Sequence, residues 1–414
     1  MSDFLFSSVE ARKFRPLPTV NPRCDRCGLY RDCQSPKMKI DGDGRRKFLI
    51  IGDYPGAAED ESGHPFSGGS GKWLEAELSL LDFDMRRDAW LTNALICFDT
   101  NKRQPATSVE DCRPNLLRAI RELNPIVVIL AGSLAVQSLI GHLWKPDPGP
   151  ISKWTGRQIP VRSPNIWVCP TYNPAFLLRE KADPVARLHF RGALAGAVAK
   201  TARPWPDDAL DYADQVETIH SPTEAAARLK RFVGGTIAFD YETTTAKPQS
   251  PHAEIVCCSV CWEGKETIAF PWHGPVIPEM VRILSAPRIR KIASNLKFEA
   301  LWTKEKLGID VQGWLFDTML GAHVLDARRG GGDLQERGSG CTGLKFLSFV
   351  RLGVPDYSSH LEDFLKPVGG KESAGGNAVN RIREINLETL MRYCGIDSLL
   401  EFLIAQQMME ELGM

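Results

Sequence analysis

The apolar residues of the first half form short continuous runs separated by stretches with helical spacing. The runs predict four strands, over Phe48–Gly52, Ala89–Cys97, Ile126–Ala131 and Ile166–Pro170. Between them, 72–81 and 110–123 place apolar residues three and four apart, which is typical of amphipathic helices. Continuous apolar strands joined by helices indicate a mostly parallel sheet covered on both faces. The first half therefore predicts an α/β/α domain.

The second half begins a new pattern after a proline-bearing acidic stretch. Its apolar runs predict a strand over 236–240, hairpin-like strands over 254–272, a strand over 291–294, and then mostly helices. The intervening stretch has the composition of a linker. We therefore expect a first domain over 1–202, a linker over 203–217 and a second α/β domain over 218–414. Residues 1–23 predict an irregular arm, and the Gly-rich segment 366–377 predicts a mobile loop.

The bulk composition fits a globular chain with two cores. At 414 residues, 43% of them hydrophobic and 25% charged, the chain is long enough for two or three domains. The formal net charge is zero, so a nucleic-acid partner would have to use local basic patches. No apolar run approaches the ~20 residues of a membrane span, and no secretory signal precedes the eleven cysteines. We expect a cytoplasmic protein whose cysteines are thiols or metal ligands.

Four acidic residues in the second half carry the clearest chemistry. Asp240 and Glu242 lie two apart at the end of a predicted strand, so both side chains point to one face. Asp397 lies four residues after Tyr393, which places both on one face of a helix. Glu299 opens a further helix-like run. Carboxylates that converge repel one another unless cations lie between them, and oxygen-rich sites suit Mg²⁺ or Mn²⁺. A solvated strand edge is the plainer reading of the Asp-x-Glu pair alone.

The full set, in this order, resembles the DEDDy 3′–5′ exonuclease domain, the proofreading domain of family A DNA polymerases. The resemblance covers about 234–414 and includes the Trp314–Leu320 segment. It implies an RNase H-like fold in which Asp240, Glu242, Glu299 and Asp397 bind two divalent ions and Tyr393 orients the attacking water. The family usually has Asp where this chain has Glu299. The carboxylate is kept on a stem one methylene longer, so we expect the metal site to persist with an altered rate.

Four cysteines in the first half form a candidate metal site. Cys24 and Cys27 make a Cys-x-x-Cys pair, and Cys97 and Cys112 lie near the ends of predicted elements. Two such pairs can close a tetrahedral thiolate site. From spacing alone zinc is the first choice and an iron–sulfur cluster the second. The plainer reading is that Cys97 and Cys112 are simply buried apolar residues.

Several segments from Cys24 to Arg179 resemble the family 4 uracil-DNA glycosylases. They are Gly52–Asp60, Gly63–Gly68, Leu91–Cys97 and Thr171–Arg179. The resemblance implies a [4Fe–4S] cluster on Cys24, Cys27, Cys97 and Cys112, with Cys33 outside the ligand set. It also gives Phe66 the role of stacking on a flipped base and Asn93 the role of reading the edge of that base. Asp53 and Asn173 follow parallel strands, whose carboxyl ends converge on one pocket.

Two departures from the glycosylase pattern predict weak or absent excision. The family usually has Glu where this chain has Asp53, and His where it has Asn173. A histidine can carry a positive charge beside the departing uracil anion, whereas an amide cannot. Losing such a contact can cost on the order of 10²–10³ in rate.

The two resemblances together predict a DNA-processing protein. Its expected substrate is single-stranded or 3′-ended DNA. The order of the two domains resembles the N-terminal part of a phage-type family A polymerase. A polymerase module would then be supplied in cis or in trans. One alternative is a repair enzyme whose main activity is uracil excision. Another is a non-catalytic DNA-binding component of a replisome.

Overall fold

The computed structural model describes residues 24–99, 107–179, 183–209, 211–326, 341–366 and 378–414. The arm predicted over 1–23 and the loop predicted over 366–377, apart from Lys366, lie outside these ranges. The described residues divide into two compact units. The first holds the chain up to Asp207 together with Phe349–Asp356, and the second holds 208–348 and 357–414.

The first unit alternates strands and helices along most of its length. Its strands are β1 Phe48–Gly52, β2 Ala89–Asn93, β3 Val127–Ala131, β4 Ile159–Val161 and β5 Ile166–Thr171. Its helices are α1 Cys24–Cys27, α2 Ala57–Ser62, α3 Gly69–Ser79, α4 Met85–Asp88, α5 Ser108–Leu123, α6 Ser133–Leu143, α7 Pro174–Leu177 and α8 Pro184–Val198.

The five strands form one sheet in the order β2-β1-β3-β5-β4. The first four are parallel and only β4 is antiparallel. Every residue of β1 and β3 is buried, as expected for central strands covered on both faces. Because neighbouring parallel strands stay in register, Gly52 pairs with Asn93 on one side and Ala131 on the other. The carboxyl ends of three strands therefore meet at one edge.

The second unit combines a mixed sheet with helices. Its strands are β6 Val216–Thr218, β7 Gly235–Thr243, β8 Ile255–Trp262, β9 Glu266–Pro271, β10 Ile289–Ala293 and β11 Trp314–Asp317. Its helices are α9 Pro222–Leu229, α10 Val276–Ser285, α11 Leu296–Leu307, α12 Thr318–Leu325, α13 Leu344–Leu352, α14 Glu362–Leu365 and α15 Leu387–Glu411, of which α13 ends within the first unit.

The second sheet has the order β11-β10-β7-β8-β9-β6. The central three strands, β7, β8 and β9, run antiparallel, while β10 and β11 extend the sheet in parallel on one side. The long helix α15 packs against this sheet. The Ser259 hydroxyl of β8 donates 2.7 Å to the carbonyl of Cys394, and Gly395 lies so close to Val216 that an added Cβ would come within 2.3 Å of its Cγ1. These contacts fix the helix face that carries Tyr393 and Asp397.

The α/β fold class predicted from the hydrophobic pattern is confirmed, although some element bounds differ. β2 ends at Asn93 rather than Cys97, because 95–97 turn away to line the cysteine cavity described below. The short strands β4, β6 and β11 were not among the predicted strands, because three or four residues leave too little periodicity to read. Within the described part of the chain, no helix is both long and apolar enough to cross a membrane.

Candidate functional site

The structure brings the Asp-x-Glu pair of β7 against helix α15. Ligand atoms of Asp240, Glu242 and Cys394 all lie within 4.8 Å of one another. The Cys394 thiol lies 3.5 Å from Asp240 Oδ2 and 3.3 Å from Ser259 Oγ. Both carboxylates therefore point to the helix-covered side of the strand, as the two-residue spacing predicts.

The pKa values of these carboxylates are raised by burial and by the charges of the other predicted acids. Burial raises the pKa of Asp240 to about 8, and the Asp397 carboxylate pushes it the same way. Burial also raises the pKa values of Glu242 and Glu299 well above the ordinary range, and the charge of Asp240 adds to both. Glu299 is 2% exposed, and its Oε2 has no hydrogen-bond partner in the described ranges. A buried acid with an orphaned oxygen fits a cation-binding set.

Tyr393 lies beside the same group of acids. Burial raises the pKa of its phenol well above 10, and the charges of Asp397, Glu242 and Asp240 raise it further. The hydroxyl consequently stays protonated at neutral pH. It can hold a water molecule by hydrogen bonding but cannot act as a base.

Asp317 positions Glu299, a role that the sequence analysis did not assign. Its carboxylate accepts hydrogen bonds from the N–H groups of Asn295 at 3.1 Å and Leu296 at 3.0 Å, where α11 begins. It also caps α12 through the Met319 N–H at 2.8 Å. Because Glu299 lies in the first turn of α11, its direction depends on this anchor. The quoted Trp314–Leu320 segment contained the signal, in an Asp directly before a helical run.

Three further residues of the site were missed by sequence reasoning. Asp397 Oδ1 accepts hydrogen bonds from Lys345 Nζ and, at 2.5 Å, from the Tyr357 hydroxyl. Glu401 lies one turn after Asp397 on α15 and is 1% exposed. The four-residue spacing of Tyr393, Asp397 and Glu401 could have revealed the last. Lys345 and Tyr357 carried no such signal, since they are 52 and 40 residues from Asp397 in the chain.

All four predicted cysteine ligands line one cavity in the first unit. Cys24 and Cys27 come from α1, Cys97 follows β2, and Cys112 lies in α5. The wall is completed mainly by apolar side chains, those of Leu29, Leu95 and Ile96. Cys33 does not belong to this lining, although its thiol is near enough to Cys97 for the two to affect each other's pKa.

The cysteine cavity has the donors that thiolate ligands need. The Lys37 N–H lies 3.2 Å from Cys97 Sγ, and the Asn115 amide lies 3.6 Å from Cys112 Sγ. Burial raises the pKa of Cys97 to about 12 and that of Cys112 to about 11. Free thiols are therefore protonated here, and a metal group must displace their protons on binding. The N–H donors to sulfur and the apolar wall fit an iron–sulfur cluster.

The predicted base pocket lies at the carboxyl edge of the first sheet. Phe66 and Asn93 meet above Gly52, where an added Cβ would come 2.3 Å from Asn93 Oδ1 and 3.0 Å from the Phe66 ring. Only glycine therefore leaves these two side chains in place. Phe66 is 9% exposed and Asn93 is 6% exposed. The aromatic face and the amide predicted for base binding are thus adjacent.

Asp53 and Asn173 are joined directly, 120 residues apart in the chain. The Asn173 amide donates 2.9 Å to Asp53 Oδ2. Asp53 Oδ1 accepts hydrogen bonds from the N–H groups of Leu134 at 2.7 Å and Ala135 at 3.1 Å, at the start of α6. Burial raises the pKa of Asp53, while these donors lower it. Both carboxylate oxygens are therefore engaged within the protein.

Two protein-family models match the chain, one in each half. Residues 40–195 match the uracil DNA glycosylase superfamily, and residues 212–413 match a 3′-5′ exonuclease family.

Individual proteins are similar to each half of the chain. The type-4 uracil-DNA glycosylase of Pyrobaculum aerophilum is 34% identical over 38% of this chain and 81% of that protein. The Archaeoglobus fulgidus enzyme is 30% identical over 37% of this chain and 78% of that protein. DNA polymerase I of Chloroflexus aurantiacus is 25% identical over 42% of this chain, and the aligned region spans 17% of the polymerase. The solved structure of Escherichia coli RNase D aligns with a TM-score of 0.33 at 14% identity, over 48% of this chain and 45% of that one.

These matches define the protein as a hydrolase that carries a 3′–5′ exonuclease domain. Through its first half, the chain belongs to the type-4 uracil-DNA glycosylase family. Both resemblances deduced from the sequence, and the fold classes they imply, are confirmed.

The buried acids predict a pH-dependent stability in metal-free protein. The pKa of the Asp240 carboxyl is raised from 3.8 to about 8. The stability that its protonated form contributes is therefore fully present below pH 3.8 and is lost as the pH rises through about 8. The Tm of the exonuclease unit should fall by about 2–4 °C or more between roughly pH 6 and pH 8. Added Mg²⁺ should raise the Tm more at the higher pH. Differential scanning calorimetry measures both effects.

Asp240→Asn should reduce this dependence, to which Glu242 and Glu299 also contribute, and Asp310→Asn, at an exposed carboxylate, is the matched control. A metal-free Tm that rises between these two pH values would contradict the expectation.

Proposed function

We propose that this protein is a two-metal 3′–5′ exonuclease that acts on single-stranded or 3′-ended DNA. The observation that carries the proposal is the Asp-x-Glu pair of β7 facing helix α15, with the ligand atoms of Asp240, Glu242 and Cys394 within 4.8 Å of one another. The charges of Asp397 and Glu299 interact with the same pair. Asp240, Glu242, Glu299 and Asp397 are the proposed metal ligands. Such a set suits Mg²⁺ or Mn²⁺, which when bound would activate a water and hold the leaving oxygen of a phosphodiester.

The residues of this chain would contribute position and hydrogen bonding. β7 and α15 present Asp240, Glu242 and Asp397, while Asp317 fixes the helix start that presents Glu299. Tyr393, kept protonated, orients the attacking water through its hydroxyl. The longer stem of Glu299 is accommodated by near-complete burial, so the departure from the family pattern affects rate rather than the existence of the site.

The expected test result is metal-dependent loss of nucleotides from the 3′ end of single-stranded DNA. Asp240→Ala/Glu242→Ala should lower the rate by more than roughly 100-fold, beyond the 10–100-fold typical of outer-ligand changes. A 5′-labelled oligonucleotide resolved by gel electrophoresis gives the rate and the polarity. The matched control is Asp310→Ala/Glu305→Ala, which removes two exposed carboxylates. Equal rates for the wild type and the site variant would refute the exonuclease proposal.

For the first unit, we propose a [4Fe–4S] cluster on Cys24, Cys27, Cys97 and Cys112. Tetrahedral zinc at Zn–S distances of about 2.3 Å would bring its four sulfurs to within roughly 4 Å of one another. Within the described ranges, no three of these sulfurs lie within 4.8 Å of one another. The wider spacing supports a cluster rather than a single ion.

Replacing a cluster ligand should remove iron and colour, because each thiolate holds one iron. Cys112→Ser should lower the bound iron and the broad visible absorbance of the purified protein. Cys33→Ser, which changes a neighbouring thiol outside the cavity, should leave both unchanged. A colourless wild type with stoichiometric zinc, measured by metal analysis, would overturn the identity of the metal.

We further propose that the base pocket excises uracil weakly or not at all. The supporting observation is the Asp53–Asn173 hydrogen bond, which ties the acid of this pocket to an amide that cannot carry a positive charge. Phe66 and Asn93 keep the shape of a pocket that holds a base by stacking and by its edge. The pocket therefore retains binding groups and lacks the charged group that favours departure of the uracil anion.

Asn173→His should increase uracil excision by on the order of 10² relative to the wild type, since it restores a group that can carry positive charge. Alkali cleavage of a uracil-containing oligonucleotide measures the abasic product. Asn173→Ala removes the same amide without adding charge and should give no gain. Equal rates for the His and Ala variants would contradict the charge argument.

We also propose a biological role, which is DNA editing during phage-type replication. A family A polymerase module would be supplied in cis or in trans. The similarity to a DNA polymerase I over the exonuclease half supports this reading.

A further inference from the structure

Lys345 is the positively charged side chain placed directly on the acidic cluster. Its Nζ donates to Asp397 Oδ1 and, at 2.9 Å, to the Tyr357 hydroxyl. It also lies 4.2 Å from the centre of the Tyr357 ring and 4.1 Å from that of Tyr393. Two aromatic faces and two oxygens thus enclose one ammonium group, whose side chain is 22% exposed.

Lys345 shares its carboxylate oxygen with a second donor. The Tyr357 hydroxyl also donates to Asp397 Oδ1, at 2.5 Å. This oxygen is therefore held by an ammonium and a phenol together. A divalent cation that approached the same carboxylate would meet a positive charge already in place, and like charges weaken binding.

Glu401 supplies the opposite charge on the same helix. It follows Asp397 by four residues on α15, so both lie on one face. Its side chain is 1% exposed, and its Oε2 has no hydrogen-bond partner among the described residues. Burial raises the pKa of Glu401 well above its usual range, the acids of the site raise it further, and Lys345 lowers it. A buried carboxylate oxygen that no hydrogen bond satisfies stays ionised only when positive charge lies nearby.

We propose that Lys345 and Glu401 are a charge-compensating pair of positioning residues that sets how tightly the exonuclease site binds its divalent ions. The inference rests on the proposed exonuclease function. With cations bound and all five acids ionised, Asp240, Glu242, Glu299, Asp397 and Glu401 carry five formal negative charges, and Lys345 carries one formal positive charge. The remaining four negative charges equal those that two divalent ions neutralise. Lys345 offsets Glu401, and the four metal ligands are left for the ions.

The proposal predicts opposite changes in Mn²⁺ binding for substitutions at the two members of the pair. Lys345→Gln removes the repulsion at Asp397 and should tighten Mn²⁺ binding by about tenfold, within the range of 10–100-fold that residues behind the ligands produce. Glu401→Gln removes an attractive charge and should weaken binding by a similar factor. The double variant restores the charge balance and should bind within about threefold of the wild type. Lys345→Arg keeps the charge and should do the same.

The experiment is a titration of the full chain with Mn²⁺, with the free ion followed by electron paramagnetic resonance. Sites that persist in Asp240→Ala/Glu242→Ala are subtracted. Lys304→Gln and Glu305→Gln, which neutralise exposed side chains of α11, are the matched controls and should leave the binding curve unchanged. Circular dichroism of each variant establishes that the fold is kept.

A purely structural role for the pair would give a different pattern. Both single variants would then weaken Mn²⁺ binding, and the double variant would be worse than either. That pattern, or an unchanged curve for Lys345→Gln or Glu401→Gln, overturns the proposal. If Lys345→Gln does not fold, Tyr357→Phe replaces it, because loss of this phenol frees Asp397 Oδ1 of one donor and should tighten Mn²⁺ binding. Weaker binding by Tyr357→Phe would also overturn the proposal.

The two proposals fail separately. A wild type that binds Mn²⁺ with the compensating pattern but leaves 3′-ended DNA intact refutes the exonuclease function and leaves the charge pair standing. Metal-dependent degradation without the compensating pattern does the opposite.

Discussion

Mutual repulsion among buried carboxylates is the constraint on which the second unit depends. β7, α11 and α15 carry five acids of this site, and burial favours the protonated form of Asp240, Glu242, Glu299 and Glu401. The protein opposes this with contacts that fix each acid in direction. Asp317 holds the start of α11, while Lys345 and Tyr357 hold one oxygen of Asp397. The described contacts supply less positive charge than the acids would carry when ionised, and this deficit underlies the affinity for divalent ions that we propose.

The first unit applies the same principle to sulfur. Four thiols lie around an apolar cavity where burial raises the pKa values of Cys27, Cys97 and Cys112, and N–H donors already point at two of the sulfurs. The cavity is arranged for negatively charged ligands whose charge only a metal group can balance. If both sites bind the metal groups that we propose, binding and folding are thermodynamically linked in each unit.

Sequence patterns predicted the α/β fold class and the shared faces of two residue pairs because those features depend on local spacing. The two-residue spacing of Asp240 and Glu242 and the four-residue spacing of Tyr393 and Asp397 each fix a shared face without any knowledge of tertiary structure. Lys345 and Tyr357 could not be found in this way, because only the folded chain brings them to Asp397. The direct Asp53–Asn173 hydrogen bond was likewise beyond the sequence. Strand order predicts that two residues reach one pocket, and it does not predict that they bind each other.

That hydrogen bond links the two departures of the base pocket from its family. Asp53 is at once the acceptor for the Asn173 amide and the cap of α6, where Gly132 lies so close that an added Cβ would come 2.2 Å from Asp53 Oδ2. A longer acid at position 53 would need the space that Asn173 occupies, and a histidine at 173 would face an acid already committed to the helix. Neither change is independent of the other. The two positions form an epistatic pair, so the gain in excision from a histidine at 173 should depend on which acid stands at 53.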